Sequence, residues 1–575
     1  MTSFEVWNFP FSAREFAPSP GRDARRNNWP IVYTINSLNE IYIGESVNGD
    51  TRMLQHLANP ARAGLAEVNY IVDDKFNKSV CLDLEAHLIQ YFQADEKYRV
   101  QNSVVGIRDA DYFEREKYRQ NFQPIFDWFV SNGMLSRPIP DLINSDFFKY
   151  SPFKSLNTDQ AIAIESVLEK LIEDLEAHSS SPIVVEGDPG TGKTIVAVYL
   201  MKLIQDIAMC RPEDLPGDDA LFHEFFLPGN REVFQNLKIA LVVPQQALRD
   251  TIAKVFDKTP GLSKEMVMTP REVVKSGELF DLLIVDEAHR VKQRANQSAA
   301  SLNKEFEEFN ITLFGEDDLN ITQLDWLKKM SKHQVFLVDA AQSVMPGDIA
   351  RSTLNSLKDE ASAGNGKFRL ASQMRVLGGA DYIEFVDRFV HGQAKPGNHK
   401  FGEYDLRFFP SFKEMYSEIQ KRESDVKLSR LLAGYGWKWV TKGKSDPCLY
   451  DIEIEGVKLP WNRKQLDWIS SPSSPGEVGS IHTIQGYDLN YAGVIFGPEI
   501  KFNPDTNKIY LDRRSYFDAK GKENNTRRGI VYSDDDILDY VLNVYRVLMT
   551  RGMLGTYVYV HDNELRAFLA KSFTE

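Results

Sequence analysis

The sequence is poor in cysteine and has no long apolar run, and both absences exclude classes of protein. Cys81, Cys210 and Cys448 are the three cysteines among 575 residues, and they lie too far apart for a metal-ligand pair or a disulfide framework. We therefore expect a reducing, cytoplasmic setting. No apolar run approaches the roughly 18 residues of a membrane span. The first residues, MTSFEVWNFPFSAREF, lack the regions of a signal peptide, so no membrane partner is expected.

Basic residues are also scarce. The net charge is −14 and the isoelectric point is about 5.4, which disfavours nucleic acid as a ligand but leaves room for a locally basic groove. With 42% hydrophobic and 26% charged residues, the composition is that of a folded protein. The length predicts three or four domains.

Apolar runs predict the fold. After residue 155, short continuous apolar runs alternate with helical patterns, which is typical of strands buried on both faces of a parallel sheet. Earlier, IVYTI and IYIGES flank the turn-like NSLNE and predict a β-hairpin. The expected class is α/β, with a small α+β domain followed by two parallel-sheet lobes. The predicted divisions are an extension (1–30), the small domain (31–105), a helical linker (106–154), the first lobe (155–350) and the second lobe (351–575).

A phosphate-binding loop stands at the start of the first predicted lobe. The segment GDPGTGKT follows an apolar strand and precedes a helical pattern, which is the context that this motif requires. Its backbone N–H groups can bind phosphates at a helix N-terminus. Lys193 is expected to reach the β- and γ-phosphates of ATP, and Thr194 to bind Mg²⁺. The remaining predicted phosphate-binding residues are Gly187, Asp188, Pro189, Gly190, Thr191 and Gly192.

A pair of carboxylates follows a later apolar run, the second one after the phosphate-binding loop. In DLLIVDEAHR, Asp286 and Glu287 come directly after the strand. We expect Asp286 to position Mg²⁺ and Glu287 to polarise the water that attacks ATP.

With these motifs, residues 155–560 resemble superfamily 1 helicases. The segments DEAHR, SQMR, LLAGYGW, HTIQGYDLNYAGVIFGPE and YRVLMTRG are most similar to the Schlafen-type helicase domains. The resemblance implies two RecA-like lobes that move nucleic acid. It also implies that Gln160 reads adenine, that Gln342 senses the γ-phosphate, and that Gly486 lies in the motif coupling ATP state to strand grip.

The same resemblance assigns roles to the second predicted lobe. Arg375 and Arg551 correspond to two arginine fingers, which stabilise charge on the γ-phosphoryl group as the lobes close. Residues 242–250, VVPQQALRD, correspond to a segment that contacts the nucleic-acid backbone. The segment VFLVDAAQSV corresponds to the third motif of the family, and it lacks the aromatic residue that many members stack on a base. Tyr487 and Trp437 are alternatives for stacking, or they are core residues.

The N-terminal hairpin resembles the GIY-YIG nuclease signature over about residues 31–105. Its first half reads IVY, and its spacing is shorter than usual. The resemblance covers six residues in order: Tyr33, Tyr42, Arg52, His56, Glu85 and Asn102. It implies a phosphate-binding arginine, an acid/base histidine, a single metal-ligand glutamate and a structural asparagine.

This set of residues suits phosphodiester hydrolysis. Glu85 can hold one Mg²⁺, or Mn²⁺, whose other ligands are mostly water. Arg52 can stabilise the developing charge. The base is Tyr33, which the resemblance favours, or His56, which its ordinary pKa favours. The alternative is a degenerate nucleic-acid-binding domain.

Together the motifs predict an ATP-driven translocase with a tethered, Mg²⁺-dependent endonuclease, acting on DNA rather than RNA. Analogy suggests prokaryotic antiphage defence, with a protein partner in the same system. One alternative is a DNA-repair helicase–nuclease acting on branched structures. Another is an ATP-dependent nucleic-acid-binding switch with an inert nuclease domain. The sequence leaves the oligomeric state open.

Overall fold

The computed structural model describes residues 4–102, 112–211, 215, 221–295, 300–339, 344–397, 399–444, 446, 448–464, 468–469, 471–484 and 487–573. By its internal contacts the chain divides into two units. The first unit comprises residues 1–179, 194–241 and 251–267, and the second comprises 180–193, 242–250 and 268–575. Among the described residues, no helix has the length and apolar character of a membrane span.

The N-terminal part of the first unit is a small sheet covered by helices. Its elements are β1 (Phe4–Pro10), α1 (Ala13–Phe16), β2 (Asn27–Asn36), β3 (Glu40–Asn48), α2 (Gly49–Ala58), β4 (Glu67–Asp73), α3 (Lys78–Asp95), β5 (Arg99–Val100), α4 (Arg115–Gln120), α5 (Gln123–Ser131), α6 (Ile139–Ile143) and α7 (Asp146–Lys149). The strand order is β1–β4–β2–β3–β5. The β2–β3 hairpin is antiparallel, with Tyr33 opposite Gly44.

This sheet corrects the predicted extension at residues 1–30. Strand β1 pairs with β4 from Phe4 opposite Asp73 to Pro10 opposite Glu67. The extension is therefore part of the small domain. The sequence does not predict this strand, because the prolines and arginines that follow β1 within a short window indicate irregular chain.

The middle of the chain contains α8 (Thr158–Ala177), β6 (Ile183–Gly187), α9 (Lys193–Met209), α10 (Asn230–Val233), β7 (Ile239–Val242), α11 (Gln246–Lys258), β8 (Val267–Met268), α12 (Pro270–Ser276), β9 (Phe280–Val285), α13 (Ala300–Phe314), α14 (Gln323–Lys329), β10 (Ser331–Val338), α15 (Arg351–Ala363) and β11 (Lys367–Leu370). In the second unit, β11, β6, β10 and β9 are parallel neighbours in that order. Because β11 pairs with β6, the first parallel sheet extends beyond the predicted boundary at residue 350.

The remainder of the second unit contains a second parallel sheet. Its elements are α16 (Gly379–Val390), β12 (Asp405–Phe408), α17 (Phe412–Val426), β13 (Ser429–Ala433), β14 (Ile452–Ile454), β15 (Val457–Leu459), β16 (Val478–Gly479), α18 (Ile481–Ile484), β17 (Leu489–Phe496), β18 (Ile500–Asn503), β19 (Lys508–Leu511), α19 (Asp534–Met549), β20 (Gly552–Val560) and α20 (Asn563–Ala570). The order β12–β20–β17–β13–β16 is parallel throughout. The predicted α/β class with two parallel sheets is confirmed.

Candidate functional site

The phosphate loop has the predicted local structure. Strand β6 ends at Gly187, and α9 begins at Lys193. The Lys193 Nζ atom crosses the loop and donates to the carbonyl oxygens of Gly187 at 2.7 Å and Asp188 at 3.0 Å. Gly190 has a φ of +86°, a conformation that favours glycine. The loop is therefore spanned by its own lysine, whose ammonium group lies among the backbone oxygens of the loop.

Acidic residues gather at the same edge of the sheet. Because β6, β10 and β9 are parallel neighbours, their carboxyl ends meet there. Asp286 follows β9 and is fully buried, and Asp339 follows β10. Asp339 Oδ2 lies 3.5 Å from Lys193 Nζ. Asp339 is not among the residues predicted from the sequence, although it lies in the apolar run VFLVDAA.

Glu287 is held in its charged form. It adopts a left-handed φ of +50° just after β9, and its Oε2 atom lies 3.1 Å from His289 Nε2. Burial raises the pKa of Glu287, but His289, Lys193 and Arg290 together hold it well below its usual range. A charged carboxylate at this position suits the polarisation of water.

The segment that carries Arg375 lies against the phosphate loop. The neighbouring backbone N–H of Met374 donates to the Gly190 carbonyl at 2.9 Å. The Gln373 side chain also reaches the loop, where its Nε2 donates to the Pro189 carbonyl at 2.5 Å. Both hydrogen bonds hold this segment on the loop.

The small size of Gly190 is needed for this approach. A Cβ atom added to Gly190 would clash with Gln373 Oε1 and would lie 2.9 Å from Arg375 Cβ, so only glycine allows the two segments to come so close. The Arg375 guanidinium pairs with Asp488. The structure thus places the backbone segment of Arg375 at the phosphate loop, and the role of its guanidinium as an arginine finger stays a prediction.

A second arginine at the loop is one that the sequence does not single out. Arg546, on α19, is buried, and its guanidinium lies 3.8 Å from Asp188 and 3.2 Å from Asp387. The predicted Arg551, one residue before β20, is also buried and donates to the Tyr487 carbonyl at 3.3 Å. Both arginines belong to the segment YRVLMTRG, and Arg546 is the one whose ion pair reaches the loop.

The remaining predicted nucleotide-binding residues are only partly accounted for. Gln342 and Gly486 lie outside the described residues. Gln160 is buried near the start of α8, where its side chain accepts from the Asn157 N–H and completes a capping box. Thr194 is the second residue of α9. Their contacts with a nucleotide stay predictions.

A cavity of about 580 Å³ lies in the second unit beside the segment predicted to contact nucleic acid. Gln245 and Gln246 of that segment line it, together with Tyr435 and Trp439. Of the two aromatic residues considered for stacking, Tyr487 is buried in the core, whereas Trp437 packs edge-on against His561. The aromatic residues at the cavity are therefore ones that the sequence does not indicate.

In the small domain, the predicted tyrosines and histidine lie together. The Tyr33 hydroxyl is 2.8 Å from His56 Nε2, and the Tyr42 and His56 rings are 4.8 Å apart. Burial raises the pKa of Tyr33 well above its usual value. Burial, with a smaller contribution from Arg52, lowers the pKa of His56 to about 3. His56 is therefore neutral at pH 7, and the same low pKa makes it a weak base.

Close packing fixes these rings. A Cβ atom on Gly44 would clash with the Tyr33 ring, so the glycine in IYIGES lets that ring cross β3. Asn102, just after β5, pairs with both backbone groups of Ile43: its Nδ2 donates to the carbonyl at 2.7 Å, and its Oδ1 accepts from the N–H at 3.1 Å. Asn102 thus ties the chain after β5 to the backbone of β3.

Cations and a buried carboxylate surround this cluster. Arg52 donates to the Gln55 side chain at 2.9 Å. Arg62, which the sequence analysis misses, lies 4.0 Å over the Tyr42 ring and donates to Gln101. Burial, and then the neighbouring Glu45, raise the pKa of Glu85 to about 8.

The residues around Glu85 could hold a metal ion only if most of its ligands are not protein side chains. Within the described ranges, no group of three or more His, Cys, Asp or Glu side chains could hold a metal ion. A single carboxylate such as Glu85 fits Mg²⁺, which commonly keeps several water ligands. A bound cation would also favour the charged form of this carboxylate.

Comparison with known proteins identifies the family. The family model of the Schlafen group 3 DNA/RNA helicase domain matches residues 180–562, about two thirds of the chain. The chain belongs to this family of helicase domains. It is also 26% identical over 452 residues to the uncharacterized protein YPL245W of Saccharomyces cerevisiae, covering 72% of this chain and 91% of the yeast protein.

Two solved helicase structures were also matched. Bacteroides Pif1 helicase in complex with ADP-AlF3 and ssDNA is 11% identical, with 71% of this chain and 94% of that chain covered and a TM-score of 0.25. Saccharomyces cerevisiae Dbp5 bound to RNA and ADP BeF3 is 11% identical, with 71% and 91% covered and a TM-score of 0.27. TM-scores this low support no conclusion about the fold, so the assignment rests on the family match.

Proposed function

We propose that this chain is an ATP-driven nucleic-acid translocase whose N-terminal domain is a metal-dependent nuclease of the GIY-YIG type. The observation that carries the motor is that the backbone beside Arg375 is hydrogen-bonded to the loop that Lys193 spans, and that the Arg546 guanidinium lies 3.8 Å from Asp188 of the same loop. An ATPase of two RecA-like lobes needs this pairing of a phosphate loop with arginines from a distant part of the chain.

In the proposed hydrolysis, Lys193 binds the phosphates and Arg375 stabilises the charge that develops on the γ-phosphoryl oxygens. Glu287, held charged, orients the attacking water. Asp286 and Thr194 are the residues predicted to hold Mg²⁺, which would offset the negative charge of the phosphates. Loss of the γ-phosphate would release Arg375, and this change would be transmitted to the bound strand.

The nuclease proposal is carried by one cavity, which Tyr42, Arg52, His56, Glu85 and Asn102 all line. These residues are separated in sequence, and the fold brings them to one place. Cavities in which such groups converge are the usual positions of active sites.

The choice of base stays between Tyr33 and His56, since burial disfavours the charged form of each. His56 lines the cavity but is a weak base, and Tyr33 is hydrogen-bonded to it at 2.8 Å. Water attacks phosphorus and passes a proton to this hydrogen-bonded pair, while the bond to the leaving oxygen breaks. Arg52 stabilises the charge that accumulates on the phosphate. A Mg²⁺ or Mn²⁺ ion on Glu85 would neutralise the leaving oxygen.

The test compares wild type, Lys193→Ala and Glu85→Ala with ATP and Mg²⁺ on labelled single- and double-stranded DNA and RNA. We expect Lys193→Ala to lose ATP hydrolysis and Glu85→Ala to lose cleavage alone. Matched controls are Lys332→Ala and Glu67→Gln, which alter exposed residues. Retained ATP hydrolysis in Lys193→Ala would contradict the motor assignment, and retained cleavage in Glu85→Ala would contradict the nuclease assignment.

The finer parts of the function stay predictions. DNA rather than RNA is the predicted substrate, and the cytoplasmic location is a prediction from the cysteine content. The prokaryotic defence role rests on analogy and gains no support from a relative in yeast. Repair of branched DNA would be favoured if forks and flaps are cut faster than linear DNA. A switch with an inert nuclease would be favoured if Glu85→Ala leaves every phenotype intact.

A further inference from the structure

The proposed nuclease residues line a cavity that has a second wall from another part of the first unit. The cavity has a volume of about 530 Å³. One face of α3, with Leu82 and Glu85, forms one wall, and one face of α9, with Lys202 and Met209, forms the other. On a helix, residues three or four apart share a face. The α9 wall is therefore continuous, and it gives this nuclease site a boundary supplied by the ATPase part of the chain.

The two ends of the cavity differ in chemistry. At the α2 end, Arg52 and Arg62 carry positive charge. At the α9 end, Lys202 is buried and paired with Asp206, so its charge is compensated. The cations that remain available to an anion are therefore the two arginines.

Apolar side chains line the cavity from both helical walls and from the chain after α9. Met209 is 62% exposed, Leu82 is 40% exposed and Leu215 is 38% exposed, and all three line it. Exposed apolar residues that gather in one cavity mark a binding surface. The thioether of Met209 is well suited to contact with an aromatic ring.

A nucleotide has the same division, with an anionic phosphate at one end and a flat base at the other. A cavity of several hundred Å³ is of the size that encloses one such group. A base in a duplex stays stacked and paired, and it enters a pocket between two helical walls only after it is unpaired or flipped out.

We propose that this cavity holds one unpaired nucleotide, with its phosphate at Arg52 and Arg62 and its base against Met209. The chain would therefore cut single-stranded or unpaired nucleic acid in preference to perfect duplex. The inference rests on the nuclease activity proposed above and names the substrate class of that site.

Cleavage by the full chain with Mg²⁺ tests this inference. The substrates are a labelled single strand, the same strand in a perfect duplex, and that duplex with a bulge of unpaired nucleotides, each as DNA and as RNA. We expect the single strand and the bulge to be cut at least about tenfold faster than the perfect duplex. Equal cutting of perfect duplex would overturn the inference.

The wall itself is tested by Met209→Glu, which we expect to raise KM for cleavage about tenfold while ATP hydrolysis is unchanged. Met209→Leu keeps the apolar surface, so we expect it to raise KM less than Met209→Glu does. Leu279→Glu is the matched control, since Leu279 is 55% exposed and lies outside the cavity lining. Unchanged cleavage by Met209→Glu would overturn the inference.

Mapping where nucleic acid crosslinks to the chain distinguishes an error in the pocket proposal from an error in the nuclease proposal. Glu85→Gln, without divalent ions, is photo-crosslinked to DNA or RNA strands that carry a thiopyrimidine, and the crosslinked peptides are mapped. If wild type cuts nothing, the nuclease proposal fails. Crosslinks to the peptide that contains Met209 would still support the pocket, whereas crosslinks confined to other peptides would overturn it.

Discussion

The cations at the phosphate loop and those in the small-domain cluster have different partners. At the phosphate loop, Lys193 faces Asp339, Arg375 pairs with Asp488, and Arg546 lies between Asp188 and Asp387. In the small domain, Arg52 and Arg62 donate to the neutral amides of Gln55 and Gln101. Among the described residues, neither of these two arginines has a carboxylate within ion-pair distance.

This difference indicates that the two sites would bind a phosphate group in different ways. At the loop, each of these cations must leave its carboxylate partner before it can contact the nucleotide. Nucleotide binding can therefore be coupled to a rearrangement of the protein. In the small domain, the arginines are ready for a phosphate without losing an ion pair. We therefore expect the motor to be controlled by conformation and the nuclease to be controlled by which substrate enters. The predictions below test this contrast, from the largest expected effect to the smallest.

Arg375→Ala should lower the rate of ATP hydrolysis by about 10³-fold, as for other arginine fingers. The reason is that Arg375 is proposed to stabilise charge that develops only during hydrolysis. Steady-state hydrolysis and binding of a fluorescent ADP analogue should be measured together, and ADP affinity should change little. The control is Arg388→Ala, which removes an exposed arginine. Hydrolysis at the wild-type rate would show that Arg375 is not a finger.

Arg546→Gln should lower kcat/KM for ATP by between about ten- and a hundredfold, because the loop residue Asp188 loses a buried partner and shifts. Arg546→Lys keeps the charge but not the shape of the guanidinium, so we expect it to restore the activity only in part. Unchanged kinetics in Arg546→Gln would show that the ion pair is incidental.

Arg62→Gln should raise KM for cleavage about tenfold, since a charge-assisted hydrogen bond to phosphate is lost. It should also reduce the salt dependence of strand binding by about 0.7 in the log–log slope, the contribution of one phosphate on a single strand. The measurements are cleavage and binding over a range of salt concentrations. Arg14→Gln, at an exposed position on α1, is the control. An unaltered slope would mean that Arg62 meets no phosphate.

His56→Asn should change the pH dependence of stability. Burial depresses the pKa of His56 to about 3 in the folded protein from its ordinary value of 6.5. As pH falls below about 6.5, the unfolded chain takes up this proton before the folded chain does, and wild type loses stability. We expect the variant to lose less free energy of unfolding between pH 7 and pH 4, measured by urea denaturation. An equal loss in both proteins would contradict the prediction.

The sequence predicts much of the phosphate site because its motif is local. The strand, the loop and the helix that begins at Lys193 lie within a dozen residues, and the spacing alone specifies them. Arg546 is missed for the opposite reason. An arginine in a helical pattern indicates an exposed face, and its burial depends on packing against a loop far away in sequence.

In the small domain, spacing identifies the residue types but not the arrangement of the rings. The resemblance favours Tyr33 as the base, and its hydrogen bond to His56 depends on how the hairpin packs against α2. Arg62 is missed because it follows the motif in an irregular segment. The cavity wall on α9 is also beyond the sequence, since nothing local links residues more than a hundred positions apart.

Strand β1 has a practical consequence for anyone who shortens the chain. A fragment that starts at residue 31 would lack both this strand and the beginning of β2. The backbone groups of β4 that pair with residues Phe4–Pro10 would then be left on an open sheet edge, which invites pairing with other molecules. Such a fragment would tend to aggregate, and its inactivity would say nothing about the chemistry of the intact domain.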